Sequence, residues 1–60
     1  MKLYDKVILT EEFDNYKAGT EGIIVELYDD LAYLEMIDSD GNTLGGIYDV
    51  PLSILEFQSN

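Results

Sequence analysis

The sequence predicts a small all-β domain. Short segments rich in Ile, Val, Leu and Tyr recur about every ten residues, and stretches rich in Gly and Asp separate them. The hydrophobic fraction is 47%, which is typical of a folded chain, because disordered acidic chains are poor in apolar residues. With 60 residues there is material for one domain, residues 1–60, and for no second one.

The first strand is predicted from Leu3 to Thr10, with Val7 and Leu9 on one face. The charged stretch that follows has the composition of a wide loop. Within it, the three-residue spacing of Phe13 and Tyr16 permits a single helical turn, and we expect Phe13 to plug the core beneath the loop.

The second strand is predicted from Glu21 to Asp29. Strict alternation places one set of its side chains in the core, namely Ile23, Val25 and Leu27. The opposite set then faces outward, namely Ile24, Glu26 and Tyr28. Gly22, at the start of this segment, predicts a β-bulge or a sharp bend.

The third and fourth strands are predicted as a hairpin. The third runs from Leu31 to Asp38 and alternates Ala32, Leu34 and Met36 with Tyr33, Glu35 and Ile37. Asp40-Gly41 supplies the left-handed conformation that a tight turn needs. The fourth strand runs from Thr43 to Tyr48, and Gly45-Gly46 within it predicts a strong bend or a close backbone approach.

A single helical turn is predicted at Pro51–Ile54, since proline lacks the N–H that the start of a helix leaves unpaired. A last strand, Leu55–Phe57, places Leu55 and Phe57 on one face. Five strands, one wide early loop and a one-turn helix before the last strand describe a five-stranded SH3-like barrel. Closure of the sheet would hide the edges that otherwise promote aggregation.

Four runs of sequence resemble a small bacterial family catalogued as domain of unknown function 4926. They are Tyr4–Glu12, Gly19–Tyr28, Leu34–Thr43 and Pro51–Leu55, which together span nearly the whole chain. The resemblance implies an SH3-like barrel, and it implies no activity and no functional residues. The Gly19-x-x-Gly22-x-Ile24 segment is also similar to the glycine turn of KOW domains, whose RNA-binding loops are basic where the loops here are acidic.

The charge is the most unusual feature of the composition. Thirteen Asp and Glu residues stand against three lysines and no arginine, which gives a formal net charge of −10. Phosphate backbones and anionic membranes require Lys and Arg, so neither is an expected direct partner. A strongly negative field attracts basic surfaces instead.

The sequence also argues against an enzyme. The chain contains no His and no Cys, so its hydroxyl groups lack the usual activating base and the most common soft metal ligands are missing. In Asp38–Asn42 the glycine stands at the fourth position rather than at the sixth of a calcium loop, which favours a plain hairpin turn. We expect no cofactor and no metal. The charged N-terminus and the short apolar runs lead us to expect a cytoplasmic protein.

Tyrosines interleaved with carboxylates form the candidate binding site. Tyrosine is enriched at binding hot spots because it buries much area at a low cost in entropy. The candidate residues are Glu26, Tyr28, Asp29, Asp30, Tyr33, Glu35, Asp38 and Tyr48. Their convergence on one face depends on strand register, and the tyrosines could instead cover the outside of the barrel or plug its open end.

These observations favour a non-catalytic acidic domain that binds a basic protein. The more specific hypothesis is an inhibitor, immunity or antitoxin-like protein that docks onto a nucleic-acid-handling protein, whose cleft must be positive to hold phosphates. One alternative is a structural or accessory SH3-like domain of a larger complex. A second alternative is an RNA-binding barrel of the KOW type. The sequence does not specify an oligomeric state.

Overall fold

The computed structural model describes residues 1–58, so residues 59 and 60 of the predicted domain lie outside it. The described part contains no α-helix, which confirms the all-β prediction. It consists of β1 (Lys6–Leu9), β2 (Glu21–Tyr28), β3 (Leu31–Ile37), β4 (Thr43–Pro51) and β5 (Leu55–Phe57), with a single 3₁₀ turn (Leu52–Ile54) between the last two strands.

The five strands form one open antiparallel sheet in the order β4-β3-β2-β1-β5. The edge strands β4 and β5 would lie about 19 Å apart across a flat sheet of this order. The 3₁₀ turn that joins them spans only about 8 Å at its ordinary rise per residue. The sheet must therefore curve. The turn region is held by two backbone hydrogen bonds, one donated by Thr10 to Ile54 and one donated by Leu52 to Asp30.

One apolar core fills the concave side of the sheet. All five strands contribute to it, and no polar or charged side chain among the described residues is buried. Its buried members are Val7, Leu9, Ile24, Ala32, Leu34, Met36, Ile47, Val50 and Leu55. The alternation predicted for β3 is confirmed from Ala32 to Met36, although Ile37 at its end is buried too. Val7 and Leu9 share the buried face of β1, as predicted.

The prediction for β2 is wrong in its first half. Ile24 is fully buried, whereas Ile23 and Val25 are only half-buried. The cause is a β-bulge between Ile24 and Glu26, where Val25 is the extra residue opposite β3. A bulge reverses the inside–outside alternation beyond it, so Leu27 packs on the core and Glu26 faces outward, as predicted.

The bulge predicted at Gly22 is absent, because Gly22 pairs in regular register with both neighbouring strands. A different constraint explains the glycine. A Cβ atom at this buried position would lie 2.9 Å from the sulfur of Met36, closer than a side chain normally packs. Gly22 thus leaves room for a core methionine.

The first strand is shorter than predicted, because the chain turns between Lys2 and Asp5 and enters β1 only at Lys6. In the loop after β1, the predicted helical turn is a two-residue hairpin instead. Phe13 and Tyr16 exchange two backbone hydrogen bonds of 2.9 Å, and the two residues between them have positive φ angles of 50° and 71°, as in a type I′ turn. Phe13 packs against the core as expected.

The fourth strand extends beyond the predicted end at Tyr48 and reaches Pro51. It contains two irregularities in its pairing with β3, one beside Leu44 and one at Tyr48–Asp49, where two residues oppose Tyr33. Asp49 adopts the left-handed conformation there, with a φ angle of 58°. These bulges let the long edge strand follow the curvature of the sheet.

The last elements agree with the prediction. The turn of helix is a 3₁₀ turn that starts one residue after Pro51, and β5 has the predicted bounds Leu55–Phe57. Leu55 is buried in the core, whereas Phe57 on the same face of this edge strand is 59% exposed.

Substitutions at two adjacent isoleucines test the register of β2. We expect Ile24→Ala to lose about 2–5 kcal/mol of unfolding free energy, the usual cost of a large-to-small change in a core. Ile23→Ala should cost clearly less, because Ile23 faces outward and is half-buried. Urea unfolding followed by circular dichroism measures both.

A domain of this length has a total stability of about 3–9 kcal/mol, so Ile24→Ala can approach complete unfolding. The milder pair Ile24→Val and Ile23→Val keeps the comparison measurable. Equal losses at the two positions would contradict the register described above.

Candidate functional site

The convex face of β2, β3 and β4 brings together most of the predicted site residues. Glu26 and Tyr28 project from β2, Tyr33 and Glu35 from β3, and Tyr48 from β4. The register places Glu26 directly opposite Tyr33, while Tyr48 lies on the other side of Tyr33. These five side chains define what we call the tyrosine face.

Two stacked tyrosines form the centre of the tyrosine face. The ring centroids of Tyr33 and Tyr48 are 4.3 Å apart and the ring planes differ by 16°. Tyr33 is half-buried, whereas 68% of Tyr48 is exposed to solvent. The interaction with the hydroxyl group of Tyr48 is the main cause of a raised pKa at Tyr33.

Gly46 makes room for this stack. A Cβ atom at Gly46 would lie 2.9 Å from Cε1 of Tyr33, so the ring of Tyr33 rests on the backbone of β4. At the neighbouring Gly45, whose φ angle is 153°, a Cβ atom would lie 2.8 Å from the hydroxyl oxygen of Tyr16 on the other side of the strand. The paired glycines do mark a close approach, by tyrosine side chains on both sides of β4.

A second contact fixes the bulge next to Tyr48. The Tyr28 hydroxyl group donates a hydrogen bond of 2.8 Å to Oδ1 of Asp49 and accepts one of 2.9 Å from the Asp49 backbone N–H. The bond to the carboxylate is the main cause of a raised pKa at Tyr28, and partial desolvation adds to it. Tyr28 thus ties β2 to β4 across β3.

Carboxylates surround the aromatic centre. Glu26 and Glu35 are both exposed, and Glu35 accepts a hydrogen bond of 3.3 Å from the hydroxyl group of Thr43. Directly opposite residues on neighbouring strands have Cβ atoms about 5 Å apart. The carboxylates are therefore close enough to act on any group that contacts the tyrosine rings.

The other three predicted residues lie at the two ends of the hairpin. Asp29 and Asp30 form the exposed turn between β2 and β3, next to Tyr28. Asp38 follows the opposite end of β3, which places it about 26 Å from Asp30 at the ordinary rise of a strand. The structure therefore does not gather all eight candidates in one place.

Asp38 has a local structural role. Its Oδ1 accepts hydrogen bonds of 2.9 Å from the backbone N–H groups of Asp40 and Asn42, which makes Asp38–Asn42 a capped hairpin turn. The bond from Asn42 is the main cause of a lowered pKa at Asp38. The same end of the sheet carries a shallow groove of about 310 Å³ lined by Gly19, Thr20, Glu21, Ile37, Asp38, Ser39 and Leu44.

Sequence reasoning missed Asp49, and it singled out Gly46 without identifying Tyr33 as the side chain that contacts it. Asp tolerates the left-handed conformation better than most residues, so an aspartate just before Val50-Pro51 was an available signal for a bulge. Nothing in the sequence could identify Tyr28 as its partner, because that contact crosses a whole strand. The role of Gly46 likewise depends on the register that brings Tyr33 over it.

Residues 1–58 contain no group of three or more His, Cys, Asp or Glu side chains arranged to hold a metal ion. No helix in the same stretch is long and apolar enough to cross a membrane. Comparisons with protein families, with curated proteins and with solved structures found no match to this chain.

The contact between Tyr28 and Asp49 makes a testable prediction about stability and pH. A raised folded-state pKa means that Tyr28 contributes stability that is fully present below its unfolded pKa of about 10 and is lost as pH rises through the folded value. We expect Tyr28→Phe to lower the urea midpoint at pH 7. The difference from the wild type should shrink at strongly alkaline pH.

Tyr4→Phe is the matched control, because Tyr4 is 74% exposed and its substitution should leave the midpoint unchanged. Unfolding curves for the three proteins between pH 7 and strongly alkaline pH provide the comparison. An unchanged midpoint for Tyr28→Phe, or a difference that persists at every pH, would show that the bond does not stabilise the fold.

Proposed function

We propose that this chain is a non-catalytic protein-binding domain whose tyrosine face docks onto a basic partner. The observation that carries the proposal is the stacked pair of Tyr33 and Tyr48, with 68% of Tyr48 exposed and with Glu26 and Glu35 next to Tyr33 in the sheet. A solvent-facing aromatic group held rigid by its neighbours is a common anchor of protein interfaces. Tyr48 is not part of the core cluster and does not pack against it, so packing of the core does not explain its position.

The charge supports the choice of partner. A net charge of −10 on 60 residues repels nucleic acid and other copies of the chain, and it accelerates encounter with a basic surface. Proteins that handle nucleic acids carry such surfaces. We therefore propose a nucleic-acid-handling protein as the partner, bound by this domain as an inhibitor, immunity or antitoxin-like protein.

We also propose that the curved sheet is an SH3-like barrel. The curved five-stranded sheet, with its edge strands joined by a short 3₁₀ turn, supports an SH3-like barrel, as the resemblance to the domain family implies. In such a barrel the convex tyrosine face is free to bind a partner while the concave face is filled by the core.

Charge reversal on the tyrosine face tests the proposed docking. The variant Glu26→Lys/Glu35→Lys should lose the basic protein that the immobilised wild type captures from a host extract at low salt. The matched control is Glu11→Lys/Glu12→Lys, which makes the same change in net charge on exposed residues of the loop after β1. We expect the control to retain the captured protein, with somewhat slower association.

Equal losses in the two double variants would mean that only the total charge matters, and retention by both would remove Glu26 and Glu35 from the interface. An activity assay of the captured protein then distinguishes an inhibitor from an accessory domain of a larger complex. An inhibitor abolishes the activity near an equimolar ratio, whereas an accessory domain leaves it intact.

A further inference from the structure

We infer that the tyrosine face receives an arginine side chain of its partner, with the guanidinium group stacked on Tyr48 and paired with the neighbouring carboxylates. This inference rests on the proposed function and specifies the chemistry of recognition at the same site. Three features of the structure support it: the exposed ring, the carboxylates around it and the scarcity of cations in the chain itself.

The ring of Tyr48 offers one open face. Its other face stacks on Tyr33 at a centroid distance of 4.3 Å, and Tyr33 in turn rests against Gly46. The backbone beside it is fixed by the two hydrogen bonds between Tyr28 and Asp49. A ring that is already held in place loses little entropy when a flat group stacks on it.

Acidic residues lie at both ends of the stacked pair of tyrosines. Asp49 follows Tyr48 directly, and Glu26 lies opposite Tyr33 in the register of β2 and β3. Glu35 stands two residues from Tyr33 on the same face of β3. Only Oδ1 of Asp49 is engaged by Tyr28, so its second oxygen can accept further hydrogen bonds.

The chain has few cations to satisfy these carboxylates. Its three lysines face thirteen acidic side chains, so at least ten of the carboxylates cannot have a lysine of their own. The lysine nearest in register is Lys6 on β1, which is two strands away from Tyr33. The chain itself therefore leaves most of its negative charge available for pairing with cations of a partner.

Arginine fits this arrangement better than lysine. The guanidinium group is planar, stacks on aromatic rings and donates hydrogen bonds to carboxylates from a rigid fork, and it is only weakly hydrated. The lysine ammonium group is compact and strongly hydrated, and it has no planar surface with which to stack on a ring. The occupant we assign is an arginine-bearing segment of a basic protein.

Two synthetic peptides of equal charge test the inference. One contains three arginines spaced by Gly-Ser, and the other has lysine at the same three positions. Calorimetric titration at low salt should show the arginine peptide binding about two- to fivefold more tightly, the ratio expected for an exposed cation–π contact. This preference should disappear in Tyr48→Leu and persist in Tyr48→Phe, which keeps the ring.

Tyr4→Leu is the control for loss of an exposed tyrosine elsewhere, and it should keep the preference. Equal binding of the two peptides to the wild type would overturn the arginine assignment and leave the docking proposal standing. Failure of both peptides to bind would also overturn it, and the docking proposal would then be decided by the capture experiment. A Tyr48-dependent dimer of the peptide-free protein in sedimentation would assign the face to a second copy and overturn the inference.

Discussion

The apolar core imposes the main constraint on this molecule. In a chain of 60 residues the core is built from apolar side chains of all five strands, and none of the thirteen carboxylates is buried within it. Every acidic group is therefore on the surface, with three lysines to offset the charge. The same constraint that stabilises the fold thus creates a strongly negative exterior, and this exterior determines which partners can approach.

Two β-bulges help to place tyrosines and carboxylates together on the convex face of the sheet. The extra residue at Val25 turns Glu26 and Tyr28 outward, and the extra residue at Asp49 lets Val50 return to the core after the outward-facing Tyr48. The bonds between Tyr28 and Asp49 hold the second bulge in place. Irregularities in strand pairing, which bend the sheet round its core, therefore also assemble the tyrosines and carboxylates of the convex face.

The sequence predicted the elements better than their faces. β3 was predicted correctly because its alternation from Ala32 to Met36 is uninterrupted, and β5 because Pro51 marks the turn before it. The face of Ile24 was predicted wrongly because a bulge is a property of the paired strands, and strict alternation cannot reveal it.

For the candidate site, the sequence likewise predicted residues better than their contacts. Local composition identified Tyr28, Tyr33 and Tyr48 as candidates, and the register then brought them onto one face. The stacking of Tyr33 on Tyr48 depends on how β4 pairs with β3 and on the absence of a side chain at Gly46. The hydrogen bond from Tyr28 to Asp49 crosses an intervening strand. Asp38 was chosen by its charge alone, and its carboxylate is used to cap a turn.

Mapping of backbone amide chemical shifts during titration with the arginine peptide tests the central claim most directly, because it locates the contact residue by residue. The account predicts that the largest changes occur in β3 and β4 around Tyr33 and Tyr48, with little change in the loop that contains Phe13. Changes centred instead on the groove between Gly19 and Leu44, or spread evenly over all acidic segments, would contradict a docking surface on the tyrosine face.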